Sequence, residues 1–164
     1  MREEAVFPLE SDAELIATAD IFADVIAGRS PASVVYRDEL IIALMDIQPI
    51  NQGHTLVVPL RSARSLDELT EAEAARLFLV GRRVASAIRS SGLPCTGVWL
   101  FLADGATAGQ EVPRAHLHVV PRFAGDGLSF NLPERYDILP ERKELDEAAS
   151  KIRFALSQGI EKSV

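Results

Sequence analysis

The stretch Gly109-Gln110-Glu111-Val112-Pro113-Arg114-Ala115-His116-Leu117-His118-Val119-Val120-Pro121-Arg122 alternates polar and apolar residues from Arg114 to Val119. A period of two is that of a β-strand, whose successive side chains point to opposite faces. A strand over Ala115 to Arg122 therefore puts Arg114, His116 and His118 on one face and Ala115, Leu117 and Val119 on the other. The first face is polar and the second is core. Two imidazoles side by side cannot both carry charge cheaply, so such a pair keeps at least one neutral nitrogen able to act as nucleophile or base. The loop ahead of the strand, Gly109 to Val112, can turn backbone N–H groups toward an anion, and Gln110 adds a neutral side-chain donor.

The remaining histidine, His54, lies far upstream. From the residues alone three readings stand open. The pair attacks phosphorus; or His54, His116 and His118 supply three nitrogen ligands to zinc; or these are ordinary strand residues beside a plain turn.

Working outward, the pattern predicts helix, three strands, helix, two strands, helix. Ser11 and Glu14 form a capping box, and Leu15, Ile16, Ala19, Phe22, Val25 and Ile26 recur at helical spacing until Gly28. Ser33 to Tyr36 and Leu40 to Ile47 read as a hairpin, and Thr55 to Leu60 as a third strand. Thr70 and Glu73 form a second capping box, followed by Ala74, Leu77, Phe78, Gly81, Val84, Ala85 and Ile88 on one face, with Gly92 as the stop. Val98 to Ala103 and Ala115 to Arg122 complete the strands. A Gly/Asp/Pro-rich stretch then leads to a last helix starting near Pro140, with Leu145, Ala148, Ala149, Ile152 and Leu156 on its apolar side. The class expected from this order is α+β.

The chain has 164 residues, 48% of them apolar and 25% charged, which fits one compact domain with a terminal extension. Its longest apolar runs fall far short of the roughly 20 residues that span a bilayer, so no membrane association is expected. Met1-Arg2-Glu3-Glu4 carries carboxylates where a secretion signal carries positive charge, and a cytoplasmic protein is expected. Cys95 is the only cysteine, so neither an intrachain disulfide nor a cysteine zinc cluster can form. A net charge of −7 argues against long nucleic acid as a partner, while small phosphorylated ligands remain open.

The quoted stretch resembles the signature of the histidine-triad (HIT) superfamily, a Gly-Gln loop running into His-φ-His-φ-His-φ-φ and then Pro-Arg. His116 and His118 match its last two histidines, and Arg114 stands in place of the first. Asp46-Ile47-Gln48-Pro49, followed by Gly53-His54-Thr55-Leu56-Val57-Val58-Pro59, is similar to the family's second motif. Asp20-Ile21-Phe22-Ala23, followed by Gly28-Arg29-Ser30-Pro31-Ala32-Ser33, is similar to a third, so the likeness spans residues 20–123.

The resemblance implies a HIT-like α+β fold with five antiparallel strands, a long packed helix and extra helices at both ends. The nucleotide-binding domain would be 1–124, with 125–164 a helical extension packed on it, and two copies would form a homodimer. The implied activity is that of a hydrolase or nucleotidyl transferase acting on a nucleotide, purine by family habit, without cofactor or metal. His116 would attack the α-phosphate and form a covalent intermediate, while His118 and His54 bind phosphate or move a proton to the leaving group. Gln110 and backbone groups around Val112 would steady phosphoryl oxygens, Asp46 would accept from the ribose, and Ile21, Phe22, Val25, Leu44 and Ile47 would line the base pocket.

Four positions depart from the family pattern. Arg114 adds a fixed charge that would keep His116 neutral or hold a further phosphate, unless a carboxylate pairs with it. Glu111 replaces a hydroxyl residue at the leaving group, and Ala103 replaces a polar contact. Asp20 and Ala23 stand where some members carry a zinc-binding cysteine pair, which implies a zinc-free version. Beside the enzyme stand two alternatives, a module that holds nucleotide without turnover and a metal-dependent enzyme using His54, His116 and His118.

Overall fold

The computed structural model describes residues 20–129 and 131–160. The capping box at Ser11 and Glu14, with Leu15, Ile16 and Ala19, lies outside the described residues. The chain divides after Asp126 into two compact units, and the first holds every strand among the described residues.

Strands β1 (Val34–Arg37), β2 (Ile41–Met45), β3 (Thr55–Pro59), β4 (Gly97–Phe101) and β5 (Leu117–Arg122) form one sheet in the order β1-β2-β3-β5-β4. Every neighbouring pair is antiparallel, giving the expected five-stranded α+β sheet. The last strand inserts between β3 and β4, with Leu56 opposite His118 on one side and Phe101 opposite His118 on the other. β5 starts at Leu117, two residues later than expected. Ahead of it the Arg114 N–H turns back to the Val112 carbonyl, and the Ala115 N–H bonds the Ala63 carbonyl outside the sheet.

Helix α1 (Ile21–Ile26) is short, and α2 (Glu71–Ser90) is the long helix between β3 and β4. The expected capping box opens α2: Thr70 Oγ1 accepts the Glu73 N–H at 3.2 Å, and Glu73 accepts the Thr70 N–H at 2.8 Å. Arg61 adds two hydrogen bonds to the Glu73 carboxylate, at 2.9 and 2.6 Å. That pairing, with help from Thr70 and against the burial that opposes it, holds the Glu73 carboxyl down to about 2.

One face of the sheet buries Ile41, Ala43, Val57, Leu117 and Val119 against Leu77, Val80, Val84, Ala85 and Ile88 of α2. Phe78, expected on that stripe, is instead 60% exposed, because it stands at the stripe's rim, one residue round the helix from Leu77. The opposite face gathers Ile42, Leu44, Leu56 and Val58 around Phe22 of α1, with Val25 and Val112 packed alongside. Because Leu56 faces His118 in register, this second face carries the histidines. Gly53 turns the chain into β3 at a φ of +97°, a left-handed conformation that side chains resist.

The second unit contains a 3-10 turn at Glu134–Asp137 and helix α3 (Arg142–Ile160), which begins two residues past Pro140. Among the described residues no helix is long and apolar enough to cross a membrane.

Candidate active site

Strand periodicity brings His116 and His118 to one face, and their rings lie 4.7 Å apart between centroids. His116 is 6% exposed and His54 1%, so the cluster sits largely out of water. Each strand imidazole meets an aromatic ring. Phe22 tilts against His116 at 5.3 Å, and Phe101 stacks on His118 at 4.2 Å with planes only 5° apart.

Hydrogen bonding fixes the proton of His116. The Arg114 carbonyl can only accept, so His116 Nδ1–H donates to it at 2.7 Å. Neutral His116 then has its lone pair on Nε2, the nitrogen free of that tether. His54 Nε2 and His118 Nδ1 are hydrogen-bonded at 3.0 Å. At its other nitrogen His54 meets the Ile50 N–H at 3.2 Å and the Asp46 carboxylate at 3.2 Å. With Ile50 donating, the proton runs from His54 to His118, and His118 Nε2 bears N–H. With Asp46 accepting from His54, the chain reverses and His118 Nε2 bears a lone pair. The row Asp46–His54–His118 can therefore be polarised either way.

Burial drives both outer imidazoles toward the neutral form. His118 is pushed down to about 3 by desolvation first and then by His116 and His54. His54 is lowered chiefly by burial and secondarily by His116, with Asp46 opposing. The alternative metal set weighed from the sequence, His54, His116 and His118, is not the one that converges. Among the described residues the atoms that converge within 4.8 Å belong to Asp46, His54 and His118; His54 already hydrogen-bonds His118, and its other nitrogen lies 3.2 Å from the Asp46 carboxylate.

Two residues expected near an anion already have partners. Arg114 is 3% exposed and does not face the histidines with a free charge. Its guanidinium holds the Asp20 carboxylate at 2.6 to 3.1 Å and the Pro59 and Leu60 carbonyls at 2.9 and 3.0 Å, as a buried cation must. Gln110 gives its side-chain N–H groups to the Arg64 and Val112 carbonyls and accepts the Gly105 N–H. It ties the loop together and has no side-chain N–H left for a phosphate.

The other expected residues scatter in exposure. Asp46 accepts the Gln48 N–H with one oxygen and meets His54 with the other. Ile47 is 90% and Ile21 48% exposed, whereas Phe22 and Leu44 are buried, Leu44 within the core beside Val25. Glu111 is exposed, Val112 half-buried and Ala103 buried. Phe101 is not among the residues that the sequence pattern singles out. An aromatic on a predicted strand was the available signal, but its placement on His118 depends on the β4–β5 register.

Residues 27–125 match the HIT domain family. An uncharacterised HIT-like protein of Methanocaldococcus jannaschii is 35% identical over 133 residues, which cover 81% of this chain and 98% of that protein. The crystal structure of a HIT family protein from Bacillus anthracis superposes with a TM-score of 0.76 at 32% identity, covering 85% of this chain and 98% of that one. A Zn-bound histidine triad family protein from Mycobacterium smegmatis superposes at 0.64 with 37% identity, covering 82% and 96%. A structural zinc bound through residues 20 and 23 does not fit this chain: Ala23 has no donor, and Asp20 already holds the Arg114 cation. With the sheet, the paired strand histidines and the match over residues 27–125 in agreement, the chain belongs to the HIT domain family.

Proposed function

We propose that this protein is a nucleotide hydrolase or nucleotidyl transferase that acts at an α-phosphate through a covalent intermediate on His116 Nε2. One observation carries the reading. The His116 Nδ1–H is tied to the Arg114 carbonyl at 2.7 Å, which leaves the Nε2 lone pair for attack. In the first step Nε2 bonds to phosphorus while the bond to the leaving group breaks. The His54–His118 pair enters the step with one added proton beside the Asp46 carboxylate; His118 Nε2–H protonates that group, the His54 Nε2–H proton moves to His118 Nδ1, and both imidazoles end neutral. Water or another acceptor then attacks phosphorus and breaks the P–N bond, its proton passing back along the same row. Phe101, stacked on His118, holds the acid in place.

Asp46 accepts from the ribose hydroxyls, Ile21 and Ile47 meet a purine, and backbone N–H groups around Val112 receive the phosphoryl oxygens. A second copy completes a homodimer, which sedimentation would detect. The deciding experiment mixes the protein with a fluorogenic adenosine phosphoramidate under single-turnover conditions. A burst and a covalent nucleotidyl adduct are expected in wild type, and both disappear in His116→Ala. Saturable binding with neither burst nor adduct would leave a binding module, and activity abolished by a chelator would favour a metal enzyme.

A further inference from the structure

Asp20 stands at the N-cap of α1, where an aspartate usually accepts the helix's first N–H groups, yet its side chain makes no capping hydrogen bond. Its carboxylate goes to Arg114, 94 residues away, with contacts of 3.1 and 2.8 Å from Nε and 2.6 Å from Nη2. The same guanidinium reaches the Pro59 and Leu60 carbonyls where β3 ends. One buried cation thus joins the start of α1, the end of β3 and the lead into β5.

Both groups that orient His116 depend on those joined segments. The Arg114 carbonyl accepts the His116 Nδ1–H, and Phe22, two residues past Asp20, packs on the imidazole. We infer that the Asp20–Arg114 pair is a clasp that positions the His116 ring for attack, and that Asp20 and Arg114 are positioning residues for the nucleophile. This inference rests on the function proposed above. It also reverses an obvious guess: Arg114→His restores the family's three-histidine pattern but leaves Asp20 and two carbonyls without their donor, so it lowers activity.

The test measures two quantities in wild type, Asp20→Asn, Arg114→Lys and Arg114→His. The first is the rate of nucleotidyl-adduct formation, with KM beside it. The second is the His116 Nδ1–H resonance in imidazole nitrogen–proton correlation NMR, together with its exchange with water. Loosening the ring by a fraction of an ångström to 1 Å is expected to slow adduct formation about 10–100-fold while KM moves by about twofold or less. The resonance should broaden and exchange faster in each variant, least in Arg114→Lys. Arg114→Lys keeps the charge and Asp20→Asn keeps an acceptor, so a folded variant is available even where Arg114→His fails. A folded Asp20→Asn with wild-type adduct rate and an unchanged resonance would overturn the clasp. If wild type forms no adduct at all, the proposed function fails, while the resonance still decides the clasp.

Discussion

Gly81 lies in the middle of the long helix, a place where glycine ordinarily costs about 0.5–1 kcal/mol relative to alanine. Its presence is explained by how closely α2 approaches the sheet. A Cβ at position 81 would lie 2.5 Å from Leu117 Cδ2 and 3.2 Å from Leu100 Cδ2, whereas carbon atoms rest at about 3.5–4.0 Å. Leu117 cannot swing clear without disturbing its neighbours, because it is 6% exposed and packed with Val57, Val80, Val84 and Val119. Overpacking of this kind costs about 1–3 kcal/mol, and the better helix propensity of alanine returns less than that. Gly81→Ala should therefore lose about 1 kcal/mol net, with about 2.5 kcal/mol as the upper bound, or roughly 4 °C in thermal midpoint at the central value.

Calorimetry and urea titration would measure the loss, and Leu117→Val provides the control. That change removes one methylene at the clash, so the double variant should recover stability beyond additivity by more than about 0.5 kcal/mol. Leu117 also sits between His116 and His118 in the chain, so Gly81→Ala should slow adduct formation as well. A Gly81→Ala protein as stable as wild type, or single losses that simply add, would refute the claim that this glycine sets the helix-to-strand distance.

Two further outcomes are expected. The folded protein holds His118 at about 3, below its ordinary 6.5, and His54 is lowered too, so the unfolded chain binds these protons first. Stability from these groups is complete above about pH 6.5 and drains as pH falls toward 3, while that of Glu73 is present above 4.5 and lost toward 2. Thermal midpoints should fall from pH 6.5 downward and more steeply below 4.5; a midpoint constant from pH 7 to 5 would contradict the histidine part. Phe101→Ala removes a stacked ring worth about 0.5–1.5 kcal/mol and should slow turnover about 2–10-fold, with Phe101→Tyr near wild type. Equal turnover in Phe101→Ala and wild type would show that stacking does not hold the acid.

What the sequence made legible was whatever obeys a local period. Alternation from Arg114 to Val119 placed His116 and His118 on one face and Leu117 and Val119 in the core, as found. Thr70 and Glu73, three residues apart, marked the start of α2 because a capping box is a contact within one turn. What stayed hidden depends on distant pairing. Phe101 meets His118 only because β5 enters between β3 and β4. Arg114 meets Asp20 across 94 residues, a distance over which no period speaks. Gln110 was ambiguous for another reason: an amide beside glycines suits an anion, but the same amide closes a loop equally well, as its bonds to Gly105, Arg64 and Val112 do.

Arginine at position 114 is compatible with the proposed nucleophile for a reason that follows from the chain's chemistry. Residue 114 contributes two separable things, a carbonyl that every amino acid possesses and a side chain that is free to differ. The carbonyl accepts from His116, and nothing about that hydrogen bond requires an imidazole at 114. The side chain must instead be stable in a buried position, and a permanently charged guanidinium is stable there only beside a carboxylate and further acceptors. Asp20, Pro59 and Leu60 meet that demand together. Arg114 and Asp20 therefore constrain each other: replacing either alone leaves a buried charge unmatched. Replacing both with apolar residues of similar volume removes that penalty, so the Asp20→Leu/Arg114→Met double variant should be more stable than Asp20→Leu alone, which keeps the stranded guanidinium. If the clasp positions the nucleophile, that double variant recovers stability without recovering the rate of adduct formation. If both return together, the pair serves folding and His116 is oriented by its carbonyl alone.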